Sequence, residues 1–137
     1  MKKLDLKVAA DMFDMIRHDQ HIFYNKETGE LDYYSEFADP EYDDSEKFED
    51  SCWVAGPDAY ELDVFSLMDR FADGLTDARA KELLILALDG KGAFRRFRTV
   101  LEREGLEEEW YAFKHDAFIE IAREWCKDND IPYEEAS

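Results

Sequence analysis

The residues best placed to do chemistry are five cations crowded between positions 91 and 103: Lys91, Arg95, Arg96, Arg98 and Arg103. Most belong to one string, Gly90-Lys91-Gly92-Ala93-Phe94-Arg95-Arg96-Phe97-Arg98. Glycines let a backbone approach a ligand closely, and the open N–H groups of a helix start attract anions. Lys91, Arg95, Arg96 and Arg98 therefore form a candidate anion site, suited to a phosphorylated small molecule or an RNA end. The string lacks the residue order of a P-loop. Arg95 and Arg96 would fall in the first turn of a helix, where the dipole disfavours cations, so something negative must offset them. A bound anion would do so. So would the protein's own carboxylates, since acids outnumber bases 35 to 17, and internal pairing is the commoner outcome.

The second candidate is the acidic stretch from Glu36 to Asp50, where Lys47 is the single base. Phe37, Tyr42 and Phe48 interrupt the acids, so a loosely docked loop or a short helix is expected. Asp39, Glu41, Asp43 and Asp50 stand at relative positions 1, 3, 5 and 12, as calcium ligands do in an EF-hand loop. Asp44 occupies the place that needs glycine, and position 12 is aspartate rather than a bidentate glutamate, so the match fails and a solvated loop is expected. Phe37, Glu41, Tyr42, Asp43, Asp44 and Glu46 are the candidate partner-binding residues, with Phe48 a further aromatic anchor.

Nothing else assembles a reaction centre in sequence. No nucleophile elbow and no HExxH occur, and His18, His21 and His115 would need the fold to gather them. Cys52 and Cys126 lie far apart, each beside a tryptophan, and read as reduced core or near-core thiols. No cofactor and no metal is implied. Phe23, Tyr24, Tyr33 and Tyr34 could stack bases, but in so acidic a chain packing against the first helix is expected.

These residues need elements to hold them. Apolar positions Ala9, Met12, Phe13 and Ile16 predict a helix from Leu6 to His18 with Asp5 at its start. His21–Tyr24 and Leu31–Tyr34, joined by a polar loop containing Gly29, predict a hairpin, and Cys52–Val54 is the candidate third strand. Four amphipathic helices follow. The first, started by Asp58 with Glu61 three residues on, carries Val64, Phe65, Met68, Phe71, Ala72 and Leu75 inward. Thr76 is expected to cap the second, whose inward face is Ala80, Leu83, Leu84, Ala87 and Leu88, with Gly90 as its left-handed stop. The third runs from Ala93 to Glu104 with Phe94, Phe97, Val100 and Leu101 inward and ends at Gly105. The fourth starts in Glu107–Glu109, buries Trp110, Phe113, Ala117, Ile121, Ala122 and Trp125, and stops before Pro132. The expected class is α+β, mostly α: an N-terminal helix and β-hairpin packed with a four-helix C-terminal half. One domain over 1–137 is expected, with residues 1–55 and 56–137 as its subregions.

Composition narrows the function. A formal charge of −18 argues against nucleic acid and favours a basic protein partner. No uninterrupted apolar run predicts a membrane span or a signal peptide, and two free thiols suit the cytoplasm.

The string at 90–98 also resembles the bacterial uncharacterised protein family 0158. The resemblance extends to Glu27-Thr28-Gly29-Glu30 in a hairpin turn, Met68 to Phe71, Trp110 to Phe113, and a helix ending in Trp125. It is specific from about Tyr60 to Ile131, looser over the first 55 residues, and departs at Cys126, where leucine follows the tryptophan more typically. It implies this architecture and carries no activity, cofactor or catalytic residue. The leading expectation is a non-enzymatic protein-binding or regulatory module. The alternatives are a phosphate-ligand or RNA-end binder using the basic string, and a nucleic-acid mimic that blocks a basic protein.

Overall fold

Asp5 starts the first helix because its carboxylate accepts from the Lys7 amide at 2.8 Å, satisfying a donor that every helix start leaves open. In the computed structural model, which describes residues 3–16, 20–35, 45–57 and 62–135, this helix is α1 (Leu6–Met15) and follows the short strand β1 (Leu4–Asp5). The hairpin is β2 (Gln20–Asn25) and β3 (Leu31–Ser35). Its turn is built by Asn25, whose side-chain oxygen accepts from the Glu27 and Thr28 amides at 2.8 and 3.1 Å. The third strand, β4 (Trp53–Ala55), joins antiparallel on the other side of β2, giving the order β3-β2-β4. Before it, Ser45–Glu49 forms a 3₁₀ turn.

The helices are α2 (Val64–Asp73), α3 (Ala78–Ala87), α4 (Ala93–Glu104) and α5 (Glu107–Asp128), and β5 (Tyr133–Glu134) pairs parallel to β1. The class is α+β, mostly α. Two starts differ from expectation. Asp63, not Asp58, caps α2 by accepting from Ser66, and Asp77, not Thr76, caps α3 by accepting from Arg79 and Ala80 at 3.0 and 3.2 Å. In both places a carboxylate directly precedes the first helical residue and serves as the acceptor. Asp58 and Glu61 lie outside the described residues. At the far end of α5, Asp130 adopts φ 55° while the Ile131 amide donates to the Cys126 carbonyl at 2.8 Å, closing the last turn with no glycine present.

The chain divides into two compact units, residues 1–62 with 118–137, and residues 63–117. The boundary falls within α5, so its second half belongs with the N-terminal elements rather than with the other helices. The first, or sheet, unit buries Leu6, Phe13, Ile22, Tyr24, Phe118, Trp125 and Cys126. Trp125 sits edge-on to Phe13 and Tyr24 at 6.0 and 6.1 Å, and its indole N–H donates to the Ala55 carbonyl at 2.9 Å. An amphipathic side chain thus has both its apolar body and its polar tip satisfied. On the opposite face of the sheet, Phe48 stacks on Phe23 at 4.3 Å and meets Trp53 at 4.8 Å. Phe48 is therefore core, and as a partner anchor it is withdrawn.

The second, helical unit is centred on Phe71, whose ring lies 5.5 Å from Trp110 and 5.6 Å from Phe113. Phe97 meets Trp110 edge-on at 5.2 Å. Two residues expected inward point out: Phe65 and Phe94 are exposed, while Leu67 and Ala93 take the buried places. Along α4 the buried stripe is Ala93, Phe97 and Leu101, four residues apart, which leaves Phe94 on the flank.

Candidate functional site

Helix α3 ends at a tight corner, and the basic string forms that corner and the start of α4. Gly90 and Gly92 both take left-handed conformations, φ 79° and 77°. A side chain at Gly92 would be strained there, and its Cβ would stand 3.1 Å from an Arg96 nitrogen. That closeness has a purpose. The Arg96 guanidinium folds back across the corner, where Nε donates to the Ala87 carbonyl at 3.0 Å and the terminal nitrogens donate to the carbonyls of Asp89, Lys91 and Gly90. One planar fork of donors thereby satisfies the last carbonyl of α3 and three carbonyls of the corner that follows it. The sequence allowed Arg96 an anion or a carboxylate; the structure gives it backbone carbonyls. Its charge sits against the carbonyl end of α3, where the dipole favours a cation.

The other members of the string face solvent. Lys91, Arg95 and Arg98 are exposed, and among the described residues none of them, nor Arg103, forms an ion pair. Gly92 supplies no side-chain cap, so the first amides of α4 lack the acceptor that Asp5, Asp63 and Asp77 supply elsewhere. Beside them lies a shallow groove of about 120 Å³, in which Phe94 and Arg98 of α4 face Glu107, Trp110, Tyr111 and Lys114 of α5. Phe94 is 59% exposed and meets the exposed Phe65 edge-on at 6.2 Å. The Lys114 ammonium lies 5.3 Å from the Tyr111 ring. Sequence reasoning brought Lys91, Arg95 and Arg98 to one helix start. It missed the aromatic flank, for which the polar neighbours of Phe94 were the available signal.

The sheet unit carries a different surface. A groove of about 460 Å³ runs along α1, lined by Val8, Asp11, Met12, Met15, Ile16 and Tyr33. Met15 is 80% exposed, and Val8 and Tyr33 are about half exposed. Methionine and tyrosine are suited to a contact surface: one adapts its shape, and the other couples an apolar ring to a hydroxyl. Of the candidate partner-binding residues, Glu46 is exposed in the 3₁₀ turn. Phe37, Glu41, Tyr42, Asp43 and Asp44 lie outside the described residues. Lys47 pairs with Asp32 at 2.8 Å, and its ammonium lies 4.9 Å from the Phe48 ring.

Charge is divided unevenly between the units. The sheet unit has 8 bases and 23 acids, a net −15, and the helical unit has 9 and 12, a net −3. Both cysteines are free, Cys52 partly exposed and Cys126 buried. Burial raises the Cys126 thiol to about 11, so it behaves as a small apolar residue. His21 stacks near Tyr34 at 6.1 Å, His115 is half-buried on α5, and His18 lies outside the described residues. Among the described residues, no group of three or more His, Cys, Asp or Glu side chains is arranged to hold a metal ion, and no helix is long and apolar enough to cross a membrane.

A small α+β protein, mostly α, with one groove along α1 and another between α4 and α5, is thus the class that fold and site define. The chain belongs to the Uncharacterised protein family UPF0158, whose family model matches residues 14–135. No curated protein and no solved structure matches it significantly.

Proposed function

We propose that the chain is a non-enzymatic protein-binding module whose sheet unit receives a basic, amphipathic segment of a partner protein. The observation that carries this reading is the coincidence of the apolar α1 groove with a net −15 on the same unit. A partner helix with cations on one side and apolar anchors on the other would be drawn in by the field and held by Val8, Met15 and Tyr33. The acids of residues 36–50, Glu41, Asp43, Asp44 and Glu46 among them, would add to the attraction. Free thiols fit a reducing, cytoplasmic setting.

The test is fluorescence anisotropy with a synthetic amphipathic helix bearing lysines on one face and leucines on the other. Binding should weaken as salt rises from about 50 to about 300 mM, because exposed charges are progressively screened. Met15→Gln and Tyr33→Ser should each weaken it roughly tenfold, as loss of an interface anchor does. Charge reversal at Glu41, Asp43, Asp44 and Glu46 should slow association more than it speeds release. A complex indifferent to both salt and the groove substitutions would refute the reading.

A further inference from the structure

We infer that the helical unit carries a second docking surface, a cationic and aromatic ledge along α4 that takes an acidic amphipathic helix of a partner protein. Three features converge on it. Phe94 is 59% exposed, Phe65 stands edge-on to it, and Tyr111 is exposed across the groove from Arg98. Phe65 of α2 and Phe94 form an exposed apolar pair on the flank of α4, and Tyr111 of α5 shares the groove with Phe94. Between positions 91 and 103 there are five bases and a single acid, Glu102. Arg96 is taken by the carbonyls of the α3 corner and Arg103, nine residues from Phe94, lies on the other side of α4, but among the described residues Lys91, Arg95 and Arg98 have no carboxylate partner.

That absence of pairing is informative because acids outnumber bases 35 to 17 in this chain. Carboxylates stand near the α4 cations, Glu102 four residues after Arg98 and Glu107 across the groove, and among the described residues neither pairs with them, so the cations stay open to an external acid. Arg95 moreover stands in the first turn of α4, against the helix dipole, where an external anion stabilises it. Phe94 and Arg98 are four residues apart, and Arg95 and Arg98 three, so the apolar and cationic stripes lie side by side. A helix that alternates apolar anchors with acids along one face has the matching pattern. Glu107, on the opposite wall of the groove, would repel an acid placed over it and so confine the acids to the α4 side.

Charge selects the peptide over nucleic acid. A polyphosphate brings one negative charge per nucleotide to a chain already at −18, whereas a short helix brings a few, all on one face. This inference stands apart from the basic-partner reading, because it concerns a different unit and a ligand of the opposite sign.

The test uses the full chain and three fluorescent probes: an amphipathic helix with glutamates beside a leucine–phenylalanine face, the same composition scrambled, and an oligouridylate. The amphipathic acidic helix should bind at least about tenfold more tightly than either of the others. Phe94→Ala and Arg98→Glu should each reduce that binding about tenfold or more, and Met15→Gln should leave it unchanged. Both substituted residues are exposed, so circular dichroism melts should stay close to wild type. Equal binding of the scrambled peptide, tighter binding of the oligouridylate, or binding that survives Phe94→Ala would each overturn the inference. The lysine–leucine helix should bind Phe94→Ala as it binds wild type, which separates failure here from failure of the basic-partner reading.

Discussion

The sheet unit and the helical unit are built on opposite principles. The helical unit joins neighbours in sequence: α2, α3, α4 and the start of α5 follow one another through short connections. The sheet unit joins distant parts, pairing Leu4 with Tyr133 across β1 and β5 and bonding Trp125 to Ala55. Closing long loops costs chain entropy before any contact rewards it, so the distant contacts must be individually strong. The helical unit can rely instead on many local ones. The charge follows the same division, with −15 on the unit that long-range contacts hold and −3 on the other. Self-repulsion therefore falls mainly on the unit whose assembly is entropically dearer.

Trp125→Ala tests that contrast most severely. It removes the ring that meets Phe13 and Tyr24 and leaves the Ala55 carbonyl without its donor. A loss of about 3–5 kcal/mol is expected, as for other large-to-small core substitutions. Hydrogen exchange should accelerate first in α1, β2 and the second half of α5, because the Phe71–Phe97–Trp110 cluster is untouched. Uniform acceleration across α2–α4 as well would show that the two units do not differ in the way proposed.

Arg96→Ala is the corresponding strike at the helical unit. It strips donors from the carbonyls at Ala87, Asp89, Gly90 and Lys91, some of which water can replace because the corner is exposed. A loss of about 1.5–2 kcal/mol is expected, at the low end of the range for hydrogen bonds from a charged donor because water replaces part of it. Arg95→Ala, which removes an exposed cation of the same helix, should change thermal stability little. Arg96→Lys should recover only part of the loss, since an ammonium cannot reproduce a planar fork. Equal melting of the Arg95 and Arg96 variants would remove the clamp from the account.

The same contrast governs what could be read in the sequence. Apolar spacing and glycine placement gave α4 from Ala93 to Glu104 with its left-handed ends, because those signals act within a few residues. The hairpin and its third strand were legible for the same reason. Facing was less so: a stripe drawn through Phe94 and Phe97 sits one residue away from the true stripe through Ala93 and Phe97, since a small residue can take the inward place. The partners of Trp125 and Leu4 left no local trace at all. Nor could residue type alone show that Arg96 would spend its donors on carbonyls while Lys91, Arg95 and Arg98 face solvent.

Asp77→Ala offers a smaller and cleaner comparison with its neighbour Thr76. Asp77 accepts from two amides of α3, so its removal should cost about 1 kcal/mol, the usual value for a lost helix cap. Thr76→Ala should cost much less, because the cap lies one residue later than the sequence suggested. Chemical denaturation of both variants reads the difference directly. Equal costs would return the cap to Thr76.

The finest distinction lies in how each unit uses ion pairs. In the sheet unit, Arg123 grips Glu135 with two nitrogens, one at 2.9 Å, and also reaches Glu120, tying the chain after β5 back to α5. Hydrogen bonds from Arg123 hold the Glu135 carboxyl below its ordinary pKa, and the same pairing raises that of the guanidinium. A carboxyl whose pKa is depressed by folding contributes stability above its unfolded pKa and loses it as pH falls through the folded value. The Tm difference between wild type and Glu135→Gln should therefore be full at neutral pH and close once pH drops below the glutamate range, near about 4. In the helical unit Arg79 stands 3.8 Å from Glu104 with most of its side chain in water, so Glu104→Gln should shift the neutral-pH Tm less. A Glu135→Gln gap that persists at low pH would mean that Glu135 acts through packing rather than charge.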